Sequence, residues 1–315
     1  MELLMELYKT YSPSGNEKRM RKFISSWVKN NVPEATIQRD ELGNLYITKG
    51  TCDTYPCVCA HMDQVQKIHS KDFNCYVADG IIFGYSKNNK RQEGLGADDK
   101  NGIWVALKCL KKFDVLKCAF FVGEEVGCVG SEKADMTFFQ NCRFVLQCDR
   151  RNGDDLIISI GGWTQLCSTE FLDDIDFADF GYKEESGMMT DVEALKNNGL
   201  GVCALNISCG YYSPHTDHEV TIFEELENCL HFVEHIIEKC DRVYPHTDYE
   251  FAYAQDYEIE EERMDVESII ETHLHYFPTA TNEEILHNLD GMYFYLQRDD
   301  IVKMIQEIKR RDYHL

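Results

Sequence analysis

A series of short apolar runs, each closing on a histidine or an acid, constrains this chain more than any other feature. Cys57-Val58-Cys59-Ala60 leads into His61-Met62-Asp63, Cys118-Ala119-Phe120-Phe121-Val122 into Gly123-Glu124-Glu125, and the run 143–148 into Asp149. Runs this short, bounded by polar and turn residues, read as buried strands. Between them, residues 100–113 have helical spacing, with Ile103, Val105, Ala106 and Leu110 inward. Strand-like runs at 156–160 and 202–208 bracket a helix near 191–197, and an amphipathic helix follows with Leu226, Leu230, Val233 and Ile237 on one face. Strands alternating with helices predict the α/β class, as a three-layer α/β/α domain.

Upstream, 1–10 and 15–31 are expected to be helices broken by the turn 12–16, and 35–39 and 45–48 to be strands joined as a hairpin. The segment 64–94 is read as a loop. These elements make a catalytic domain over 1–243. Residues 244–315 differ in character, with 17 acidic against 6 basic side chains. They read as an acidic segment and a small helical appendage, with short helices around 265–275, 282–289 and 297–309. A helix-turn-helix order is present there, but the last helix opens on Asp299-Asp300, which opposes contact with DNA. Packing or assembly is the expected role, covering a cleft or forming the subunit interface of a homo-oligomer.

Composition excludes several partners. The formal charge of −23 repels phosphate backbones, so no nucleic acid is expected as a ligand. No run reaches the ~18–20 apolar residues of a membrane span, so no membrane is expected either. The first residues read as an amphipathic helix rather than a signal peptide. Of the 14 cysteines several lie inside apolar runs and none forms a CxxC pair, which reads as reduced thiols in a cytoplasmic protein.

Most of the chemistry-bearing residues sit where open α/β sheets place their sites, at or just beyond strand ends. In Ala60-His61-Met62-Asp63 the histidine can bind a metal while Asp63 orients its other ring nitrogen. In Gly94-Leu95-Gly96-Ala97-Asp98-Asp99-Lys100-Asn101-Gly102, Asp98 can bridge two metals, and Asp99 reads as a helix-start residue. A phosphate cradle at this turn is opposed by its two adjacent carboxylates. Glu124 and Glu125 suit two jobs, proton exchange and metal binding. Asp149 ends another strand, and His215 lies in the turn Tyr212-Ser213-Pro214-His215-Thr216. Two histidines and three carboxylates form a nitrogen and oxygen donor set that suits zinc, with Co2+ or Mn2+ as substitutes.

This ordered set resembles the dinuclear zinc exopeptidase superfamily that includes peptidase T, glutamate carboxypeptidase and aminoacylase. The likeness spans about residues 10–240 and includes Met189-Thr190-Asp191-Val192-Glu193-Ala194-Leu195. It implies a phosphorylase/hydrolase-like domain with a mixed, mostly parallel sheet, and two Zn2+ ions. One ion would take His61, Asp98 and Asp149, and the other Asp98, Glu125 and His215. Asp63 would orient His61. Glu124 would be the general base, taking a proton from the bridging water and passing it to the leaving amine.

One departure is visible. Lidded members insert a lid domain before the final histidine or between the His61-type and Asp98-type ligands, whereas Asp149 and His215 are only 66 residues apart here and His61 and Asp98 only 37. No full lid fits, so the lid's functions have no assigned residue; the 64–94 loop, Tyr211, Tyr212, His218 and the appendage are candidate substitutes. The expected function is an aminopeptidase or di/tripeptidase on short peptides. An amidase acting on acylated amino acids and a catalytically silent binding protein are the alternatives, the last opposed by retention of Glu124 with all five ligands. His231 and His235 have metal-ligand spacing but read as a solvated helix face. Asp191 reads as a helix cap, with substrate contact as the alternative from its place near the cleft.

Overall fold

The computed structural model describes residues 1–162, 164–247, 266–267, 269–271, 273–274, 278, 280–289 and 298–313. Chain contacts divide into two compact units, Met1–Thr247 and Asp248–Leu315.

The first unit opens with helices α1 (Glu2–Lys9) and α2 (Lys18–Asn31) and the hairpin β1 (Thr36–Arg39) and β2 (Leu45–Lys49). Next come β3 (Tyr55–His61), β4 (Phe73–Ala78), β5 (Ile81–Ser86), β6 (Arg91–Glu93), α3 (Ala97–Lys112), β7 (Leu116–Phe121) and β8 (Cys142–Arg150). Then follow β9 (Asp155–Ile160), β10 (Thr164–Gln165), α4 (Thr169–Asp174), β11 (Lys183–Gly187) and α5 (Asp191–Asn197). The unit ends with β12 (Ala204–Ser208), β13 (Tyr211–Tyr212), β14 (Val220–Ile222) and α6 (Phe223–Lys239).

The main sheet has the order β1-β2-β7-β3-β8-β12-β9-β10, with β11 paired to β9. Its centre, β7-β3-β8-β12, is parallel, and antiparallel strands flank it. Period-two alternation divides the strands between two apolar layers. Val58, Ala60, Cys118, Phe120, Phe144 and Leu146 face the layer that receives α1, α2, α3 and α6. Cys57, Cys59, Ala119, Phe121 and Val145 face the layer covered by Val192 and Leu195 of α5 and by Phe138 and Phe139. Strands buried on both faces explain why the sequence shows continuous apolar runs rather than alternation. The expected three-layer α/β/α domain with a mixed sheet is what forms.

The segment 64–94 is not a loop. β4, β5 and β6 join β13 and β14 in a second, antiparallel sheet of order β13-β14-β5-β4, with β6 on β5. β4 and β5 are half exposed, so they lack the apolar density of the central strands. Their turn is Asp79-Gly80, both at positive φ (50° and 80°), the backbone a two-residue hairpin requires. This sheet matters to the site, since β14 pairs with β5 and the loop between β13 and β14 carries His215. His235 also departs from expectation: it is half-buried, 3.0 Å from Asp176 and against Phe180, while His231 is exposed.

In the second unit, α7 (Asn282–Leu289) and α8 (Arg298–Ile308) are helical, as are the described residues within 266–274. Ile270, Leu274, Ile285, Leu289, Ile301 and Ile305 build a core of their own. Of the expected 265–275 helix, positions 265, 268, 272 and 275 lie outside the described residues. All 14 cysteines are unpaired, and nearly all are buried. No described helix is long and apolar enough to cross a membrane.

Phe120 is fully buried at the centre of the larger core. Replacing it with alanine is expected to cost about 3–5 kcal/mol, seen as a lower denaturation midpoint at unchanged m-value.

Candidate metal centre

The parallel strands deliver their carboxyl ends to one edge, where the acid and histidine side chains converge. His61 is the last residue of β3, Asp149 lies near the end of β8, and Glu124 and Glu125 follow β7. Asp98 stands at the start of α3, where it and Asp99 keep non-helical backbone angles and share a cis peptide bond. Gly96 before them takes φ 63°, and a Cβ there would collide with Gln64 and Lys100.

His61 Nε2 lies 3.0 Å from Asp98 Oδ1 and 3.5 Å from Asp149 Oδ1. His215 Nε2 lies 3.1 Å from Asp98 Oδ2 and 3.0 Å from Glu125 Oε2. Asp98 thus gives one oxygen to each imidazole. Two triads result, His61–Asp98–Asp149 and Asp98–Glu125–His215, each with its donor atoms within 4.8 Å of one another. Glu124 Oε2 stands 3.8 Å from His61 Nε2. Asp63 faces the other ring nitrogen, its Oδ1 at 3.4 Å and its carbonyl oxygen at 3.2 Å from Nδ1. The same Asp63 carboxylate accepts the backbone N–H groups of Glu124 (3.0 Å) and Glu125 (3.3 Å) and the Ser14 hydroxyl (2.7 Å). One buried side chain therefore ties the strand ends of β3 and β7 together.

Other supports carried no local sequence signal, because their partners are distant in the chain. Glu219, fully buried before β14, accepts the N–H groups of Ala97 (3.0 Å) and Asp98 (3.3 Å). Asn206 of β12 accepts the Asp149 N–H and donates back to its carbonyl. Gln147 donates to Asp149 Oδ2 at 3.0 Å and to Asp191 Oδ2 at 3.3 Å. One reading is extended here and one corrected. Asp99 is fully buried and accepts the His61 N–H as well as the Gly102 N–H, each at 3.0 Å, so it locks β3 to α3 beyond any helix-start role. Asp191 does not cap α5, whose N-cap is Thr190; its carboxylate is buried against Ser131 and Gln147. The lid substitutes also separate. Tyr211 lines the cleft, while the Tyr212 hydroxyl is held by Glu225 and His218 is exposed near Gln92.

The electrostatics show what such crowding does. Burial pushes Glu124 up to about 8, Asp191 up to about 6 and Glu219 up to about 7. Burial and the neighbouring Asp98 raise Asp149 well above the usual carboxylate range. Burial acts against Asp98 too, but hydrogen bonds from His215 and His61 hold it low. Hydrogen bonds to Asp98 and Glu125 raise His215 to about 10. Burial opposes charge on His61, yet Asp149 and the surrounding carboxylates outweigh it and raise that ring as well. Glu125 Oε1 is buried with no hydrogen-bond partner among the described residues. An orphaned carboxylate oxygen beside two like charges fits a divalent cation, and the two triads fit two ions sharing Asp98. The cleft above them has a volume of about 380 Å3, with Arg150, Arg151, Met188, Met189, Tyr211 and Pro214 in its wall.

For the metal-free protein the raised carboxyls and histidines act with one sign between pH 5 and 7, outnumbering the opposed His69, which burial lowers to about 4. Carboxyls raised in the fold bind more protons than in the unfolded chain, so stability falls as pH rises toward their folded values. Lys100, lowered to about 7 by burial, acts oppositely only above that value. The metal-free melting temperature is expected to fall from pH 5 to 7, and zinc to abolish or reverse the fall. A metal-free profile rising over this range contradicts the assignment.

No protein-family model and no curated protein matches the sequence. Solved structures do. Aminopeptidase PepT from Bacillus cereus superposes with a TM-score of 0.58 at 14% identity, over 76% of this chain and 97% of that one. A tripeptidase from Staphylococcus aureus gives 0.59 at 14%, over 75% and 96%. The TET1 peptidase of Pyrococcus horikoshii, which can assemble into a tetrahedron or a large octahedral shell, gives 0.53 at 15%, over 75% and 98%. At these identities the likeness is one of fold. Here the interval from His61 to Asp98 is taken up by the second sheet and that from Asp149 to His215 by strands and helices of the main domain. The chain shares the fold of these peptidase structures, with no inserted lid domain among its described residues.

Proposed function

We propose that this chain is a dinuclear zinc-dependent peptidase, an aminopeptidase or di/tripeptidase acting on short peptides. The observation that carries the reading is Asp98, whose two carboxylate oxygens face His61 and His215 at 3.0 and 3.1 Å. A carboxylate between two imidazoles, each with one further acid, is the arrangement that two cocatalytic ions need. His61, Asp98 and Asp149 would hold one ion, and Asp98, Glu125 and His215 the other. The peptidase fold supports the reaction class, and unpaired cysteines support a reducing, cytoplasmic setting.

When bound, the ions supply Lewis-acid polarisation of the scissile carbonyl and a water of lowered pKa. Glu124 is the general base. It faces the cleft between the triads, and its main chain is fixed by Asp63, so its carboxylate is positioned before substrate arrives. It accepts the proton of the attacking water and returns it to the leaving amine. With cations held by the two triads, the raised pKa of Glu124 would fall, which would leave its carboxylate free to accept that proton at neutral pH. Asp63 holds the His61 tautomer, leaving Nε2 toward Asp98 and Asp149. Met188 and Met189, both largely exposed at the rim, offer an apolar surface to a substrate side chain.

Glu124→Gln is expected to retain about two metals per chain and to lose roughly 10²–10⁴-fold in kcat on a free-amine tripeptide. Metal analysis and steady-state kinetics check both halves. Unchanged kcat removes Glu124 as the base. Wild-type turnover confined to N-acyl amino acids moves the assignment to an amidase.

A further inference from the structure

Two adjacent arginines stand in the wall of the cleft. Arg150 is the last residue of β8, one position after Asp149, and Arg151 begins the bend toward β9. They are the only lysine or arginine side chains among the described residues lining that cleft, whose floor carries Asp98, Glu124, Glu125 and Asp149. Their placement is built rather than loose. The Arg150 Nε donates to Asp155 Oδ2 at 3.0 Å, and the Asp155 N–H donates to the Ser208 hydroxyl at 3.1 Å. That hydroxyl donates in turn to the Arg151 carbonyl at 2.7 Å, so one serine of β12 fixes the backbone at both ends of the bend from Arg151 to Asp155. The Arg151 side chain is exposed and makes no ion pair among the described residues.

A floor of four carboxylates repels an anionic substrate group, and two metal ions would only neutralise that floor. Recognition of an anion in this cleft therefore falls to the arginines. A guanidinium is a planar fork with five donors, matched to a carboxylate through two parallel hydrogen bonds. With Nε of Arg150 anchored by Asp155, its terminal N–H groups remain for a ligand, and Arg151 adds a second fork beside it.

We propose that Arg150 and Arg151 form a carboxylate subsite, which makes the preferred substrates short peptides bearing a carboxylate close to the scissile bond. This rests on the peptidase reading and narrows its substrate class. The carboxylate is either the peptide's own carboxyl terminus or an acidic side chain, and both present the same chemistry to the forks.

The test uses the zinc-loaded full-length chain with trialanine, trialanine amide and Ala-Ala-Glu amide. Wild type is expected to favour trialanine over its amide by roughly 10–100-fold in kcat/KM, the worth of a hydrogen-bonded charge. In Arg151→Gln and Arg150→Ala that ratio falls toward one, chiefly through KM. Titration calorimetry with reduced-amide analogues of trialanine and of its amide shows the same loss of discrimination without turnover. Arg151→Gln, at an exposed position, keeps the comparison interpretable if Arg150→Ala fails to fold. Recovery of activity on Ala-Ala-Glu amide, through the same arginines, assigns the carboxylate to a side chain; no recovery assigns it to the terminus. Equal use of trialanine, its amide and Ala-Ala-Glu amide by wild type, or substrate ratios unchanged in Arg151→Gln and in folded Arg150→Ala, overturns the subsite while leaving the peptidase reading intact. Absence of both turnover and analogue binding on every peptide overturns the peptidase reading, and the subsite with it.

Discussion

Three carboxylates and two imidazoles held within a few ångströms of one another, mostly out of water, set the terms for the rest of this structure. Like charges at such separation are costly in a medium of low dielectric. The protein meets that cost partly with protons, on Asp149, Glu124 and both histidines, and partly with backbone N–H groups aimed at the next ring of acids. Asp63 takes the amides of Glu124 and Glu125, Asp99 that of His61, and Glu219 those of Ala97 and Asp98. Each support is a buried acid that accepts main-chain N–H groups, so it fixes a donor of the centre through the backbone rather than through a cationic side chain.

The fold supplies these positions because four parallel strands end on one edge. β3, β7 and β8 bring His61, the Glu124-Glu125 pair and Asp149 to their carboxyl ends, and β12 sends Asn206 to clamp Asp149. Two donors come from outside the main sheet, Asp98 from the start of α3 and His215 from the turn before β14. The His215 loop is held by β13 and β14, and these are anchored on β5 of the second sheet. The interval where a lid could have entered before Asp98 instead builds the platform that brings His215 to the centre. Among the described residues the cleft has Arg150, Arg151, Met188 and Met189 in its wall.

Much of this was legible because buried strands and metal donors write themselves locally. A continuous apolar run ending in His61, Glu124 or Asp149 announces both a central strand and its chemistry. Residues 64–94 were not legible as a sheet because β4 and β5 are half exposed, so their pattern is diluted; Asp79-Gly80 was the surviving signal. Glu219, Asn206 and Gln147 gave no signal, since each acts on a residue brought near only by the fold. Asp191 and Asp99 were readable as acids at helix starts, but their burial, and hence their bonds to Ser131 and to His61, depended on long-range packing.

The account stands on two ions sharing Asp98, and anomalous diffraction at the zinc edge from zinc-loaded crystals tests that most directly. The expected result is two peaks flanking the Asp98 carboxylate, one also against His61 and Asp149 and the other also against Glu125 and His215. A single peak, or peaks that leave Asp98 bound to one ion only, would contradict it.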